Sequence, residues 1–265
     1  MLAVAKYGSV VRTTAIAALV YRGDVLIRLV AMGLIMFIFV QLWTVTYRST
    51  GITTLAGFTL HDMIWYLVIT ETVVLSASRI VVKINEEVKS GELAYVLLRP
   101  YSYVGYHLAA YWGEGALRLP VNLLLGGLVA VLAVGPPAAS PVVLAATGLS
   151  IILGLTLNFL VEASIGLLAF WFEDTVPFFW IYQKLVFTIG GLFLPLTLLP
   201  GPLAAVSGKL PFAAVTYAPA RIFTAFSPEI LLEQLSLQVV WLAAFAGIAS
   251  LVYGQAVRKL SINGG

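Results

Sequence analysis

Residues 25–46 read VLIRLVAMGLIMFIFVQLWTVT, twenty-two positions that carry one charge, Arg28. A bilayer's hydrocarbon core is crossed by about 20 consecutive apolar residues in a helix. Asp24, after Gly23, is placed to cap the start of such a helix. The rest of the chain has the same character. Of 265 residues 61% are apolar and only 10% charged, and the mean hydropathy is +1.01. A soluble domain is nearer 25% charged. A soluble globular enzyme, a disordered chain and a disulfide scaffold are therefore disfavoured. The sequence holds no cysteine, which excludes disulfides and thiolate chemistry. Its two histidines, His61 and His107, lie 46 residues apart and cannot form a metal site alone.

Five further spans follow, at about 62–82, 104–134, 142–171, 178–199 and 232–255. With 25–46 they define an all-α integral membrane protein of six transmembrane helices. The stretch 104–134 is too long for one crossing. Its first half, YHLAAYWGEGALRLP (106–120), contains Glu114, Arg118 and Pro120, and is expected to start at the interface and bend near the proline. The loop GPPAAS (135–140) is short enough to make the third and fourth spans an antiparallel hairpin.

The cations are unevenly placed. Lys6, Arg12, Arg22, Arg28, Arg79, Lys83, Lys89, Arg99, Arg118, Lys184, Arg258 and Lys259 fall at one side. Arg48, Lys209 and Arg221 fall at the other. The positive-inside rule then puts both termini in the cytoplasm. The start of the chain does not read as a signal peptide, because Lys6, Arg12 and Arg22 precede the first apolar run and no cleavage site follows. Residues 1–23 mix apolar side chains with a polar set at helical spacing, which predicts an amphipathic helix on the cytoplasmic face; a basic tail is the plainer reading.

Between the second and third spans lies KINEEVKSGELAYVLLRP (83–100), the most polar stretch of the chain. Gly91 supplies a helix stop. Beyond it Leu93, Val96 and Leu97 share one helical face until Pro100 closes the segment. A short amphipathic helix there suits a lever docked in a partner's groove, although a solvated loop has the same composition. The run Ile84 to Pro100, with SGELAYVLLRP at its centre, resembles the cytoplasmic signature of ABC-2-type transporter permeases. Phe170–Asp174, Leu194-Pro195 to Leu199-Pro200, and Leu210-Pro211-Phe212 are similar to that family too. The resemblance implies an N-terminal interface helix, a coupling helix at 83–100, and one transmembrane domain over 1–265. It also implies a second permease copy or paralogue, separate cytoplasmic ATPase subunits that carry ATP and magnesium, and export across the cell membrane. In that frame Glu86, Glu87, Glu92 and Arg99 offer charge to the ATPase, and Leu93, Tyr95 and Leu97 offer apolar packing. Gly91 sets the turn between the two halves.

The region 195–230 carries Pro195, Pro200, Pro202, Pro211, Pro219 and Pro228, so it cannot be one straight helix. Short re-entrant pieces on the outer side are expected. Irregular backbone at that depth must be shielded by protein or line a wet cavity. The resemblance implies an outer gate there, marked by Pro195, Pro200 and Pro211; a static cap is the alternative. Within the spans lie Glu71, Glu162 and Asn158, the last one turn before Glu162. Intramembrane carboxylates rarely face lipid. They are read either as translocation-path or proton sites, or as structural bonds from Glu71 to a Ser or Thr and from Glu162 to Arg118. If they carry protons, the protein is an ion-coupled secondary transporter or channel instead. No GxxxxGK[ST], HExxH or GxSxG occurs in the sequence. ATP hydrolysis on this chain is not expected, nor a metal or nucleic-acid partner.

Overall fold

A computed structural model describes residues 2–20, 22–92 and 101–263. The described residues form helices joined by turns, with one isolated bridge between Leu55 and Phe58. Helix α1 (Leu2–Val20) leads into α2 (Arg22–Thr50), α3 (Leu60–Ser76) and α4 (Ile80–Lys89). Then come α5 (Tyr103–Val134), α6 (Pro141–Leu167) and α7 (Val176–Thr188). Three short helices follow, α8 (Gly201–Ser207), α9 (Pro211–Val215) and α10 (Tyr217–Thr224), and α11 (Pro228–Asn263) ends the chain.

Local chemistry sets most helix ends. Thr59 and Asp62 form a reciprocal capping box at the start of α3. The hydroxyls of Ser102 and Ser140 accept from Gly105 N and Val143 N to cap α5 and α6. Gly135, at φ +94°, turns the chain after α5. Helix α5 runs unbroken through Pro120.

Helix α3 sits at the centre, with Met63 to Val73 buried. Around it pack α2, α5, α6 and α10. At Gly126 of α5 a Cβ would run into Met32 of α2 and Val68 of α3, so a missing side chain lets three helices meet. Met32, Met36, Phe39, Trp43 and Tyr47 form the buried stripe of α2. Leu26, Val30, Leu34, Phe37, Ile38 and Leu42 of the same helix are more than half exposed. A helix apolar on its exposed face is built for lipid rather than water.

Four helical stretches are long and apolar enough to cross a membrane: Leu26–Thr50, Tyr103–Val134, Pro141–Phe170 and Pro228–Lys259. The other two expected spans have different bounds from those read in the sequence. The second, 62–82, stops at Ser76; Ala77 is extended and the helix restarts at Ile80. The fifth, 178–199, is helical only to Thr188, since Gly190 and Gly191 follow and Gly191 takes φ +80°. The fourth tightens into a 3-10 turn at Leu168–Phe170. The proline-marked region does break into short helices. They are not peripheral, however: Ala213, Ala214, Val215, Ala218, Ala220 and Ile222 are buried.

Helix α1 lies along α5. A Cβ at Gly113 would sit 2.7 Å from both the Thr14 Cβ and the Val11 carbonyl, and the Tyr7 hydroxyl accepts from Ser102 N at 3.1 Å. Lys6, Ser9, Arg12 and Thr13 are exposed, as are Ile16, Leu19 and Val20.

Candidate functional site

The break between α3 and α4 is held from two sides. Glu162 reaches it from α6. Its Oε2 accepts from Ile80 N at 2.9 Å and its Oε1 from Asn158 Nδ2 at 2.9 Å. A carboxylate on the first N–H of a helix satisfies a donor with no partner inside the helix and complements the positive end of the helix dipole. Asn158 in turn accepts from the Tyr182 hydroxyl of α7 at 2.8 Å and donates to the Tyr111 hydroxyl of α5 at 3.5 Å. From the other side, Glu114 of α5 accepts from Ser78 Oγ at 2.6 Å, Lys83 Nζ at 3.0 Å and Arg118 at 2.8 Å. Arg118 also donates to Ser78 Oγ at 2.6 Å. The Glu162–Arg118 pair considered from sequence is therefore replaced: Arg118 serves Glu114, and Glu162 serves the backbone of α4.

Beyond the break α4 is fastened twice more. Glu87 Oε2 accepts from the Tyr103 hydroxyl at 2.6 Å and from His107 Nε2 at 3.0 Å. Asn85 donates to Asp174 Oδ1 at 3.2 Å and accepts from Thr175 N and Oγ1 at 3.1 Å each. Lys89 lies 3.4 Å from Asp174. Glu87, read as a contact for a partner, is thus part of the internal frame, while Glu86 and Glu92 are exposed. Ser90 N and Gly91 N bond back to Glu86 O and Val88 O, and Gly91 adopts φ +73°, the left-handed stop expected at that glycine. Leu93, Tyr95, Leu97 and Arg99 lie outside the described residues.

Partial burial pushes the Glu87 carboxyl up, but the His107 and Tyr103 hydrogen bonds and the Lys83 charge outweigh it and hold the group below its usual 4.5. A depressed carboxyl stabilises the fold above the unfolded value and loses that contribution as pH falls through the lowered value. The Glu87 share of the α4–α5 contact is therefore full at neutral pH and is lost as pH falls below 4.5 through the lowered value. Limited proteolysis between 83 and 92 should rise sharply in that acid window, and Glu87→Gln should flatten the acid dependence.

The other sequence-selected residues scatter. Asn158 and Glu162 share one network; Glu71 does not join it. Glu71 is buried on α3 and makes no hydrogen bond or ion pair among the described residues. It lines an apolar cleft of about 470 Å³ between α2 and α7, with Ile35, Phe39, Trp180 and Phe187. A second cleft, of about 640 Å³, opens beside the α3–α4 break. Pro195 and Pro211 are buried and Pro200 is exposed. Around them the carbonyls of Gly190, Gly191 and Leu192 accept from the hydroxyls of Thr216, Tyr66 and Thr70.

Sequence reasoning missed three residues that organise the structure. In the sequence His107 is weighed only as a metal ligand beside His61, yet it bonds Glu87. Gln238 of α11 accepts from Ser150 Oγ at 3.0 Å and donates to Ser150 O at 3.0 Å and to Ala214 O at 2.8 Å. Arg28 donates to Leu75 O at 3.2 Å. A single polar side chain inside an apolar run was the available signal for Gln238 and Arg28.

The two ends of the bundle also differ. Lys259 donates to Phe170 O at 2.8 Å, at the end that holds α4 and Asp174. Lys209, whose carbonyl accepts from the Trp241 indole, belongs to the opposite end. Among known proteins, no curated sequence and no solved structure matches the chain. A family profile described as ABC-2 family transporter protein matches residues 15–264. Nearly the whole helical array described above lies inside that match, and the chain belongs to the ABC-2 family as an ABC-2-type permease.

Proposed function

We propose that this chain, as one transmembrane domain of six spans, is the permease half of an ATP-driven exporter of the cell membrane. Two copies, or this chain and a paralogue, form the path, and separate cytoplasmic ATPases bind ATP and magnesium. Both termini lie in the cytoplasm, as the basic end of the bundle supports. ABC-2 permeases generally work with ATPase subunits. In this reading α3 and α7 complete the six spans, their short helices being extended by the irregular residues that follow.

The observation that carries the reading is α4. It is a ten-residue helix offset from α3 by an extended break. Side chains from α5, α6 and the turn before α7 fix it at Ile80, Lys83, Asn85 and Glu87. A free loop would absorb a push from a partner. A helix fixed at four points passes the push to three spans. Glu86, Gly91 and Glu92, exposed at its far end with 93–100 beyond them, are the coupling contacts.

Purification from the native membrane in mild detergent should bring down a stoichiometric soluble subunit with a Walker A loop. Gly91→Pro should abolish coupling between ATPase and permease, because proline is fixed near φ −65° and cannot take +73°. Gly91→Asn, which tolerates the left-handed region, should retain coupling. A homo-oligomer without an ATPase, reproduced after cross-linking, would overturn the reading in favour of ion-coupled transport through Glu71 and Glu162.

A further inference from the structure

We propose that the apolar cleft between α2 and α7 binds a hydrophobic organic cation, an amine with a ring-sized apolar body, drawn sideways from the membrane. Its ammonium sits on Glu71 and its body against the aromatic wall. That this molecule is cargo rests on the permease reading; that it binds does not.

The carboxylate argues for the charge. Glu71 is 4% exposed, lines the cleft and makes no hydrogen bond or ion pair among the described residues. Glu162, as deeply buried, is held by two donors. A buried carboxylate without a donor is costly. It only accepts, so its partner must bring a donor. An ammonium brings the donor and the opposite charge together. Lys184 lines the same cleft but makes no ion pair with Glu71. Its side chain is exposed, and Nζ lies over the Phe187 ring, 5.4 Å from the centroid. Gln183 adds a neutral amide.

The body follows from the walls. Phe39, Trp180, Phe187 and Phe193 line the cleft. Phe193 meets Phe39 and Phe187 edge-on, with centroids 5.0 and 3.7 Å apart, so those three rings form one continuous wall. Aromatic faces attract cations as well as apolar groups, and the Lys184 ammonium over Phe187 already shows that contact from outside. A volume of about 470 Å³ is in the range of small-molecule sites. The cleft opens sideways: Ile38 on one lip is 53% exposed and Trp180 on the other 49%. Lips of that character admit a ligand dissolved in the bilayer. A metal ion would leave the apolar walls unfilled, a neutral hydrocarbon would leave Glu71 unmatched, and an anion would meet it with like charge.

The test uses the full chain in nanodiscs of neutral phosphatidylcholine at neutral pH, with empty nanodiscs as the blank for partition into lipid. The probe is anthracenylmethylamine, read by its emission on tryptophan excitation; anthracenylmethanol is its neutral counterpart. Saturable binding of the amine is expected, with the alcohol at least about tenfold weaker, the worth of one charge-assisted contact. Glu71→Gln keeps the shape and strands no partner, so the protein should stay folded. It should weaken the amine about tenfold and leave the alcohol unchanged. Lys184→Gln should not weaken the amine. Ile38→Trp, on the lip, should exclude both probes. No saturable binding of the amine, equal binding of the alcohol, indifference to Glu71→Gln, loss of the amine in Lys184→Gln, or indifference to Ile38→Trp would each overturn the proposal. ATPase co-purification is scored separately. Probe binding without an ATPase sinks the permease reading and keeps the site. An ATPase without probe binding does the reverse.

Discussion

Glu162→Ala should lower the thermal unfolding midpoint of the purified protein by an amount equivalent to about 2–4 kcal/mol, because it strands two donors at once. Ile80 N and Asn158 Nδ2 both end on this carboxylate, which is 1% exposed. With the cap gone, α4 loses its hydrogen bond to α6 and keeps the packing of Ile84 on Gly166 and the bonds to α5 and the turn before α7. Coupling to an ATPase should fall with it. Glu162→Gln keeps an acceptor for one of the two donors and should recover most of the loss. A proton-carrying role predicts the opposite ranking, with Gln as damaging to transport as Ala. An unchanged midpoint in Glu162→Ala, measured by intrinsic fluorescence during heating, would remove Glu162 from the frame of α4.

Gly154→Val should be as severe at the other end of the bundle. A Cβ at Gly154 would lie 2.7 Å from the Val215 carbonyl, with the Ala214 carbonyl and Gln238 Nε2 each at 3.5 Å. The obstacle at 2.7 Å is backbone, so no side chain can swing clear. Overpacking of this kind costs about 1–3 kcal/mol and more where the neighbour cannot yield. It also pulls apart the bonds from Gln238 to Ser150 and Ala214 that join α6, α9 and α11. The expected result is a polydisperse, protease-sensitive preparation, cut in the proline-rich stretch 195–210. Gly154→Ala should show a weaker form of the same defect. A monodisperse Gly154→Val protein with wild-type stability would show that α6 and the outer helices are not packed as described.

Both positions mark where the sequence stopped being legible. The long apolar runs, the stop at Gly91 and the fragmentation of 195–230 are local consequences of composition, glycine and proline, and they could be read directly. The break at Ala77–Arg79 could not. Nothing in VLSASRIVV forbids a helix; the interruption is stabilised by Glu162, 82 residues later, and by Glu114 on a third helix. Glu87 shows the same limit. Its charge and exposed-looking context suggested a partner surface, yet Tyr103 and His107 fold back onto it from beyond the loop. Asn158 and Glu162 were legible as a pair because they are four apart on one helix. That Glu71 stands apart from them depended on how α3 is rotated against α6, which no local pattern encodes.

The short α7 bears on how the chain enters the membrane. Thirteen helical residues cover about 20 Å, against a hydrocarbon core of about 30 Å. On the six-span reading, irregular residues from Ile189 onward must cover the shortfall. Their carbonyls are satisfied by hydroxyls elsewhere: Tyr66 and Thr70 of α3, and Thr216 between α9 and α10. The first two have left the ribosome long before Gly190 emerges; Thr216 follows it by 26 residues. The fifth crossing is therefore incomplete when it is first synthesised. On that reading its carbonyls are all satisfied only after Thr216 has been made and α10 has packed onto α3, so the fifth crossing depends on residues that follow it in the chain.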